Sequence, residues 1–167
     1  MAIRFVYFDL GNVLLHFSHR RACEQMGALS GHSADQIWEI VFKSDMQKQY
    51  EAGQITGEQF YETYCAAIGS RPDYRRLLAA ASDIFTVNPA ILPLLAQLKA
   101  GGHRLGILSN TCLAHWEHCV ERRYNVISQS FDVYALSFQL HTSKPYTQIY
   151  LAAAELAGVM PQDVFFT

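Results

Sequence analysis

No apolar run in this sequence is long enough to cross a membrane. The opening segment is apolar only from Phe5 to Phe8 before Asp9 interrupts it, and no later stretch approaches the roughly 20 residues that a membrane helix needs. An excess of charge is also missing, because 13 Lys and Arg against 15 Asp and Glu leave a formal net charge of -2. We therefore expect a soluble, cytoplasmic protein that binds neither membranes nor nucleic acid. Its 167 residues suffice for one core domain, or for a small domain with an insertion.

Cysteine is scarce, and the four cysteines do not form the dense pattern of a disulfide-bonded secreted domain. They fall in predicted helices, so we expect reduced thiols. Cys112, His115 and Cys119, with His118 beside them, recur at helical spacing and offer up to three metal ligands on one helix face. Structural zinc normally takes four ligands in a fixed geometry, so a partly buried amphipathic helix is the favoured interpretation.

The rest of the chain is organised around residues 3–15, IRFVYFDLGNVLL. The aromatic and β-branched residues from Ile3 to Phe8 predict a strand that is buried on both faces in the middle of a parallel sheet. Asp9 follows at the carboxyl end of this strand, where open α/β sheets bind their ligands. Gly11 and Asn12 tolerate positive φ, so they let the backbone turn sharply beneath the carboxylate. An aspartate that merely begins a turn is the simpler alternative, and this stretch alone does not decide between them.

A long helical block follows the first strand. Apolar residues at intervals of three and four predict helices over 18–29, 33–44, 46–52, 57–68 and 71–85. Two capping boxes are predicted, one opened by Ser33 and one by Thr56. No strand is predicted in this block, which is far longer than a simple crossover between strands. We therefore predict an all-helical cap domain over residues 17–86, inserted into a core domain formed by 1–16 and 87–167.

The remainder of the chain alternates between helices and strands. Asn88 and Pro89 predict the start of a helix that ends at Gly101. The apolar pattern then predicts strands over 103–108 and 131–137 and from 164 onward, with helices from 112 and over 146–157. Strands and helices in this order, joined by short loops, predict an α/β fold with a doubly wound, Rossmann-like parallel sheet.

In such a sheet the carboxyl ends of the strands bring several polar side chains together. Asp9 follows the first strand, Ser109 and Asn110 follow the second, and Pro145 fixes Lys144 in an extended conformation just before a helix. An acid, a hydroxyl, an amide and a cation in one crevice suit a phosphate group. A carboxylate that attacks phosphorus forms an aspartyl-phosphate, and Mg²⁺ usually offsets the negative charge. Taken alone, the polar residues after the second strand are better explained as an ordinary helix cap.

Three motifs in the chain, FDLGNVL, ILSNT and SKP, with a helical insertion after the first, resemble the first three motifs of the haloacid-dehalogenase-like phosphohydrolases. The resemblance spans nearly the whole chain and is closest to the sugar-phosphate phosphatases and epoxide-hydrolase amino-terminal phosphatases. It implies a phosphohydrolase that acts on a small phosphate ester. By this resemblance Asp9 is the nucleophile, Asp9 and the Gly11 carbonyl bind Mg²⁺, and Lys144 orients Asp9 and neutralises charge. The resemblance also implies that three residues bind the phosphoryl group, namely Ser109, Asn110 and Asn12.

Two features depart from the pattern of that family. Its usual acid/base carboxylate lies two residues after the nucleophile, where this sequence has Gly11. General acid/base catalysis typically contributes about 10² to 10⁴-fold, so we expect a lower rate. The family's fourth, acidic motif follows a strand such as VFFT, whereas this sequence stops at Thr167. We therefore expect a partial version of a longer protein, with a weak Mg²⁺ site and impaired catalysis.

Two other functions remain open. A 2-haloacid dehalogenase also uses an Asp nucleophile but attacks carbon and needs no metal, although the family's dehalogenases usually place an aromatic residue where Gly11 stands. A non-catalytic member of the family, whose cap binds a protein or a metabolite, is the other alternative. The inner face of the cap would select the substrate, and the candidates there are His16, His19, Arg20 and the loop 51–54. The identity of the substrate and the oligomeric state cannot be read from the sequence.

Overall fold

The chain forms a parallel β-sheet with helices on both faces. A helical segment follows the second strand in chain order, which lies outside this sheet. A computed structural model describes residues 3–121, 124, 126–127 and 131–167. The strands are β1 (Phe5–Phe8), β2 (Leu15–Phe17), β3 (Phe85–Val87), β4 (Leu105–Ser109), β5 (Val133–Leu136) and β6 (Val164–Phe166). The α-helices are α1 (His19–Ser30), α2 (Ala34–Trp38), α3 (Met46–Glu51), α4 (Gly57–Ile68), α5 (Tyr74–Ser82), α6 (Leu92–Ala100), α7 (Leu113–Glu121), α8 (Ser137–Leu140) and α9 (Thr147–Ala157). Within the described ranges, no helix is both long and apolar enough to cross a membrane.

Four of the strands form one parallel sheet in the order β5-β4-β1-β6. Val6 of β1 pairs with Leu105 of β4, and Phe5 pairs with Val164 of β6. This arrangement confirms the predicted α/β fold and places β1 inside the sheet. The strands β1, β4 and β5 begin two residues later than predicted.

β1 is buried on both faces, as its sequence predicts. Val6 and Phe8 pack in one apolar cluster with residues of α6 and α7, whereas Phe5 and Tyr7 pack in another with residues of α9. The Tyr7 hydroxyl donates to the Ala153 carbonyl of α9 at 2.7 Å, so this buried polar group has a partner. The two clusters hold helices against opposite faces of the sheet.

Helices α1 to α5 occupy most of the predicted insertion. Ser33 and Thr56 open α2 and α4 through the predicted capping boxes. The helix predicted over 33–44 consists of α2 and a π-helical segment, Glu39–Lys43, which continues it directly. Further along the chain, short 3₁₀ helices at Pro89–Ile91 and Pro161–Asp163 precede α6 and β6.

The prediction that the insertion contains no strand is wrong. The helix predicted over 71–85 ends at Ser82, and β3 follows it and pairs antiparallel with β2. This two-stranded ribbon joins both ends of the helical segment, so the segment leaves and re-enters the core at one place. Strands of three residues show too little alternation to be recognised in a sequence. The predicted domain boundaries, 16/17 and 86/87, both fall within the ribbon, and the division into two domains stays a prediction.

Candidate active site

Asp9 lies directly after β1, at the carboxyl end of the sheet. Two donors hold its carboxylate, because the Leu10 N–H donates to Oδ1 at 2.7 Å and Lys144 Nζ lies 2.6 Å from Oδ2. The Asp9 N–H donates to the Thr167 carbonyl at 2.8 Å, next to the pairing of β1 with β6. The Asp9 side chain is 30% exposed. The carboxylate is therefore fixed in orientation and still open to a ligand.

Lys144 approaches Asp9 from the loop before α9. Its ammonium group also donates to the Leu108 carbonyl at 3.3 Å and lies 5.0 Å from the centre of the Phe166 ring. The Lys144 side chain is only 15% exposed, so this ion pair is better shielded from solvent than a surface pair. The structure thus brings the two predicted catalytic residues into direct contact, and their catalytic roles stay predictions.

The Asn110 side chain forms hydrogen bonds to the backbone of Lys144. Its Oδ1 accepts from the Lys144 N–H at 2.8 Å, and its Nδ2 donates to the Lys144 carbonyl at 3.1 Å. Both ends of the amide are therefore occupied in holding the loop that carries the cation. The side chain predicted to bind a phosphoryl group thus makes contacts that position Lys144.

A cavity opens between these strand ends and the helical segment. Its free volume is about 40 Å³, which is room for roughly three water molecules. The core side of the cavity is formed by Leu10, Gly11, Ser109, Asn110 and Thr111. The remaining lining residues are Phe17, His19, Glu51, Ile84, Phe85 and His115. Of these residues, His19 and Glu51 were predicted to face the substrate, and His115 was predicted only as a possible metal ligand. Phe17, Ile84 and Phe85 were not predicted, although the aromatic and β-branched residues of β3 could have indicated this wall.

Ser109 and Asn12 have different positions relative to the cavity. Ser109 is buried, lines the cavity, and donates a long hydrogen bond of 3.3 Å to the Asn110 carbonyl. Asn12 is exposed and does not line the cavity. Its φ of 59° instead turns the backbone so that its N–H donates to the Leu15 carbonyl at 2.7 Å. The phosphate-binding roles of both residues stay predictions.

A side chain at position 11 would require the ring of Phe17 to shift. A Cβ atom at this position would lie 2.7 Å from Cε1 of Phe17, which is closer than carbon atoms normally approach. The Phe17 ring comes from β2, a ribbon strand that was not predicted from the sequence. An aromatic ring therefore lies against the position at which the family usually has its acid/base carboxylate.

Two histidines on the cavity wall, His19 and His115, have surroundings that disfavour the protonated, charged form of the ring. The His19 ring lies between Phe17 and Phe42, with centroid distances of 4.9 and 4.4 Å, and burial lowers its pKa. Burial, and then the neighbouring His19, lower the pKa of His115 to about 4. His16 and Arg20, which were also predicted to contact the substrate, are exposed and do not line the cavity. Arg20 pairs instead with Glu24 and Asp35.

The cysteines do not form a second site. All four are buried and free, and burial raises the pKa of both Cys112 and Cys119 to about 12. Among the described residues, no group of three or more His, Cys, Asp or Glu side chains converges to hold a metal. The structure therefore gives no support to the metal-binding alternative for Cys112, His115 and Cys119.

Comparison with known proteins gives the family. The sequence model of the haloacid dehalogenase-like (HAD-like) hydrolases matches residues 3–167. The chain belongs to this family. The resemblance carried by the three sequence motifs is thereby confirmed at the level of the family.

Solved structures of other HAD-family proteins share the fold of this HAD-like hydrolase. A HAD-family enzyme from Bacteroides thetaiotaomicron is 23% identical, with a TM-score of 0.84 over 99% of this chain and 84% of that one. Its complex with magnesium and inorganic phosphate matches with 24% identity and a TM-score of 0.79, over the same shares of the two chains. An L-2-haloacid dehalogenase from Xanthobacter autotrophicus is 20% identical, with a TM-score of 0.65 over 98% of this chain and 69% of that one. Identities this low establish a common fold and leave the substrate open.

Proposed function

We propose that this HAD-like hydrolase cleaves a small phosphate ester through an aspartyl-phosphate formed on Asp9. The observation that carries the proposal is the contact between Asp9 and Lys144, 2.6 Å apart at the edge of the sheet. A cation beside the nucleophile suits phosphoryl transfer, because it offsets the repulsion between a carboxylate and an anionic phosphoryl group. The magnesium and phosphate complex of the Bacteroides thetaiotaomicron enzyme supports the same class of ligand here.

Each residue at the strand ends would have its own role in the reaction. Asp9 attacks phosphorus as the alcohol leaves, and water then attacks the aspartyl-phosphate, which releases phosphate and restores Asp9. The Leu10 N–H and Lys144 hold the carboxylate in place, and Lys144 also neutralises charge on the phosphoryl oxygens. Among the described residues, the Ser109 hydroxyl has one hydrogen-bond partner, the Asn110 carbonyl, and this long bond leaves it available to a phosphoryl oxygen. Asn110 keeps the loop of Lys144 in place.

Mg²⁺ is the cofactor that the site would use, held by the Asp9 carboxylate and the Gly11 carbonyl. Both are oxygen donors, the type of ligand that this cation prefers, and Gly11 lines the cavity. Mg²⁺ commonly keeps several waters and binds one or two carboxylates together with a substrate phosphate, so a site with one carboxylate fits it. When bound, Mg²⁺ supplies positive charge that lowers the repulsion between the nucleophile and the phosphoryl group.

Hydrolysis of a 2-haloacid is the second candidate function. Leu10, Phe17, Ile84 and Phe85 give the cavity apolar walls, which suit the short alkyl chain of such an acid. Asp9 would again be the nucleophile, with carbon as the atom attacked and a halide as the leaving group. A binding function without catalysis would use the same cavity and would not require Asp9 to react.

Product release assays separate these functions. The protein is incubated with p-nitrophenyl phosphate and a panel of small sugar phosphates, with and without Mg²⁺, and separately with 2-haloacids. We expect Mg²⁺-dependent phosphate release that Asp9→Asn lowers on the order of 10⁴-fold or more, since the nucleophile is lost. Asp35→Asn is the matched control, because Asp35 is an exposed residue of α2, and it should leave the rate unchanged.

The outcomes differ between the three functions. Equal phosphate release by the wild type and Asp9→Asn would contradict the proposal. Halide release that depends on Asp9 would favour the dehalogenase. Ligand binding without release of either product would favour a binding protein.

A further inference from the structure

One acidic side chain faces the cavity from the helical segment. Glu51 is the last residue of α3 and lines the cavity together with Gly11, Ser109 and Asn110. Its carboxylate accepts one hydrogen bond, from Gln47 Nε2 at 2.8 Å. Among the described residues it has no ion-pair partner, unlike Asp9. We propose that Glu51 is the acid/base group of this hydrolase, an inference that rests on the proposed phosphohydrolase function.

The reaction needs a group that gives up a proton and later takes one back. In the first step the P–O bond to the leaving group breaks as Asp9 bonds to phosphorus, and the Glu51 carboxyl gives its proton to the leaving oxygen. In the second step the Glu51 carboxylate takes a proton from water. The water oxygen bonds to phosphorus, the bond to Asp9 breaks, and Glu51 is protonated again. No other reactant is required.

The other titratable groups near the cavity are unsuited to this task. Asp9 is the nucleophile and Lys144 is paired with it. The depressed pKa values of His19 and His115 leave both rings neutral near pH 7, without the acidic proton of an imidazolium. The thiol of Cys112, whose pKa is about 12, is a poor acid at that pH. Position 11 is closed by the ring of Phe17.

The surroundings of Glu51 shift the balance of its carboxyl towards the protonated form. Burial raises its pKa above the ordinary value, and the weaker, opposing effect is the hydrogen bond from Gln47. Among the described residues, the titratable groups near it include His19 on α1, Cys112 just before α7, His115 in the first turn of α7, and His141 after α8. A glutamic acid with a raised pKa serves both as the acid of the first step and as the base of the second.

Contacts to the core fix the position of Glu51. The Ser137 hydroxyl donates to the Glu51 carbonyl at 2.5 Å and accepts from the Thr111 N–H at 2.9 Å, so it joins the end of α3 to the loop after β4. Ser137 is fully buried. Gly53 packs so closely that a Cβ atom there would lie 2.3 Å from the Phe138 carbonyl oxygen. The backbone of Glu51 is therefore held against the ends of β4 and β5, and the Gln47 side chain holds its carboxylate. A proton donor needs a fixed position of this kind.

Leaving groups of different basicity test the role of Glu51. An alkoxide needs a proton to depart, whereas p-nitrophenolate is a stable anion near neutral pH. Glu51→Gln should lower kcat/KM for an alkyl phosphate by about 10² to 10⁴-fold and leave kcat/KM for p-nitrophenyl phosphate nearly unchanged. With the second ester, hydrolysis of the aspartyl-phosphate should become slow, so rapid mixing should show a burst of one p-nitrophenolate per active site.

Two further variants control the experiment. Glu39→Gln replaces an exposed glutamate of the same helical segment, which pairs with Lys43, and should leave both esters unaffected. Glu51→Asp keeps an acid and should recover part of the turnover of the alkyl phosphate, while thermal melts show whether each variant is folded.

Two results would overturn the role of Glu51. The first is that Glu51→Gln leaves the turnover of both esters unchanged, and the second is that it lowers kcat/KM equally for both without a burst. Either result leaves the proposed function standing if Asp9→Asn still abolishes turnover. Turnover that survives Asp9→Asn would instead remove the phosphohydrolase proposal and, with it, the role of Glu51.

Discussion

The two walls of the cavity are held in place by different forces. On the core wall, and at the neighbouring Asp9 and Lys144, which do not line the cavity themselves, polar contacts fix the side chains. Asp9 meets Lys144 at 2.6 Å, and the lining residue Asn110 makes two hydrogen bonds to the backbone of Lys144. On the opposite wall, ring packing dominates, and His19 lies between Phe17 and Phe42. Polar contacts depend on the identity of each atom, whereas packed apolar groups tolerate replacements of similar volume.

This difference predicts how each wall responds to substitution. A change on the core wall should lower activity more than stability, because it removes charge or position at the reacting atoms. A change among the packed rings should lower stability, or alter the choice of substrate, more than it alters the chemical step. Glu51 is the exception on the packed wall, since its carboxyl is proposed to react.

Among the substitutions that compare the two walls, the largest effect is expected at Lys144. Lys144→Met keeps most of the side-chain length but removes the cation beside Asp9, so we expect phosphate release to fall by about 10² to 10³-fold. Lys99→Met is the matched control, because Lys99 pairs at 3.7 Å with Asp132 in a more exposed setting. Steady-state kinetics check both variants, and comparable losses in the two would contradict the special role of Lys144.

A stability effect is expected at His115 on the packed wall. Because the folded protein keeps His115 neutral down to about pH 4, the unfolded chain binds the extra proton at intermediate pH. The stability contributed is fully present above about pH 6.5 and is lost as pH falls towards 4, by at most about 3 kcal/mol. His115→Phe should flatten this dependence in urea unfolding at a series of pH values.

His103→Gln, at an exposed histidine before β4, is the control for His115→Phe. It should retain the dependence of stability on pH. An unchanged dependence in His115→Phe would assign the effect to other groups.

The core wall could be predicted from the sequence, whereas the packed wall could not. Asp9, Ser109 and Lys144 each lie next to a long apolar run or a proline, and parallel strands bring their carboxyl ends together whatever the details of packing. The contact between Asp9 and Lys144 was therefore expected. The hydrogen bonds between the Asn110 side chain and the Lys144 backbone could not be predicted, because the orientation of the Asn110 amide depends on atoms 34 residues away.

The ribbon formed by β2 and β3 accounts for most of the site residues that could not be predicted from the sequence. Its strands have three residues each, and their pairing joins positions about 70 residues apart, such as Leu15 and Val87. Without the ribbon, neither the position of Phe17 nor the closure of position 11 can be foreseen. In the sequence, Gly11 indicates that the acid/base carboxylate is missing. In the structure, the ring of Phe17 occupies the space of a side chain at that position.

A smaller effect is expected when a carboxylate is restored at position 11. Gly11→Asp forces the new side chain against Phe17, so the free energy of unfolding should fall by about 1 to 3 kcal/mol. Phe17→Leu in the same chain should recover part of this loss, which a double-mutant cycle measures as a coupling between the two positions. Strictly additive effects would show that the ring of Phe17 is not what closes the site.

The smallest effect separates stability from activity in two asparagines with similar contacts. Asn110 bonds at both ends of its amide to Lys144, and Asn88 bonds to the Val13 carbonyl and the Ala90 N–H. Replacement of either by alanine should lower the free energy of unfolding by about 1 to 2 kcal/mol, because each loses two hydrogen bonds. Only Asn110→Ala should also lower kcat, by about tenfold, since it loosens the loop that carries the Lys144 cation. Equal kcat values in the two variants, measured at a temperature where both are folded, would mean that Asn110 supports the fold and not the position of Lys144.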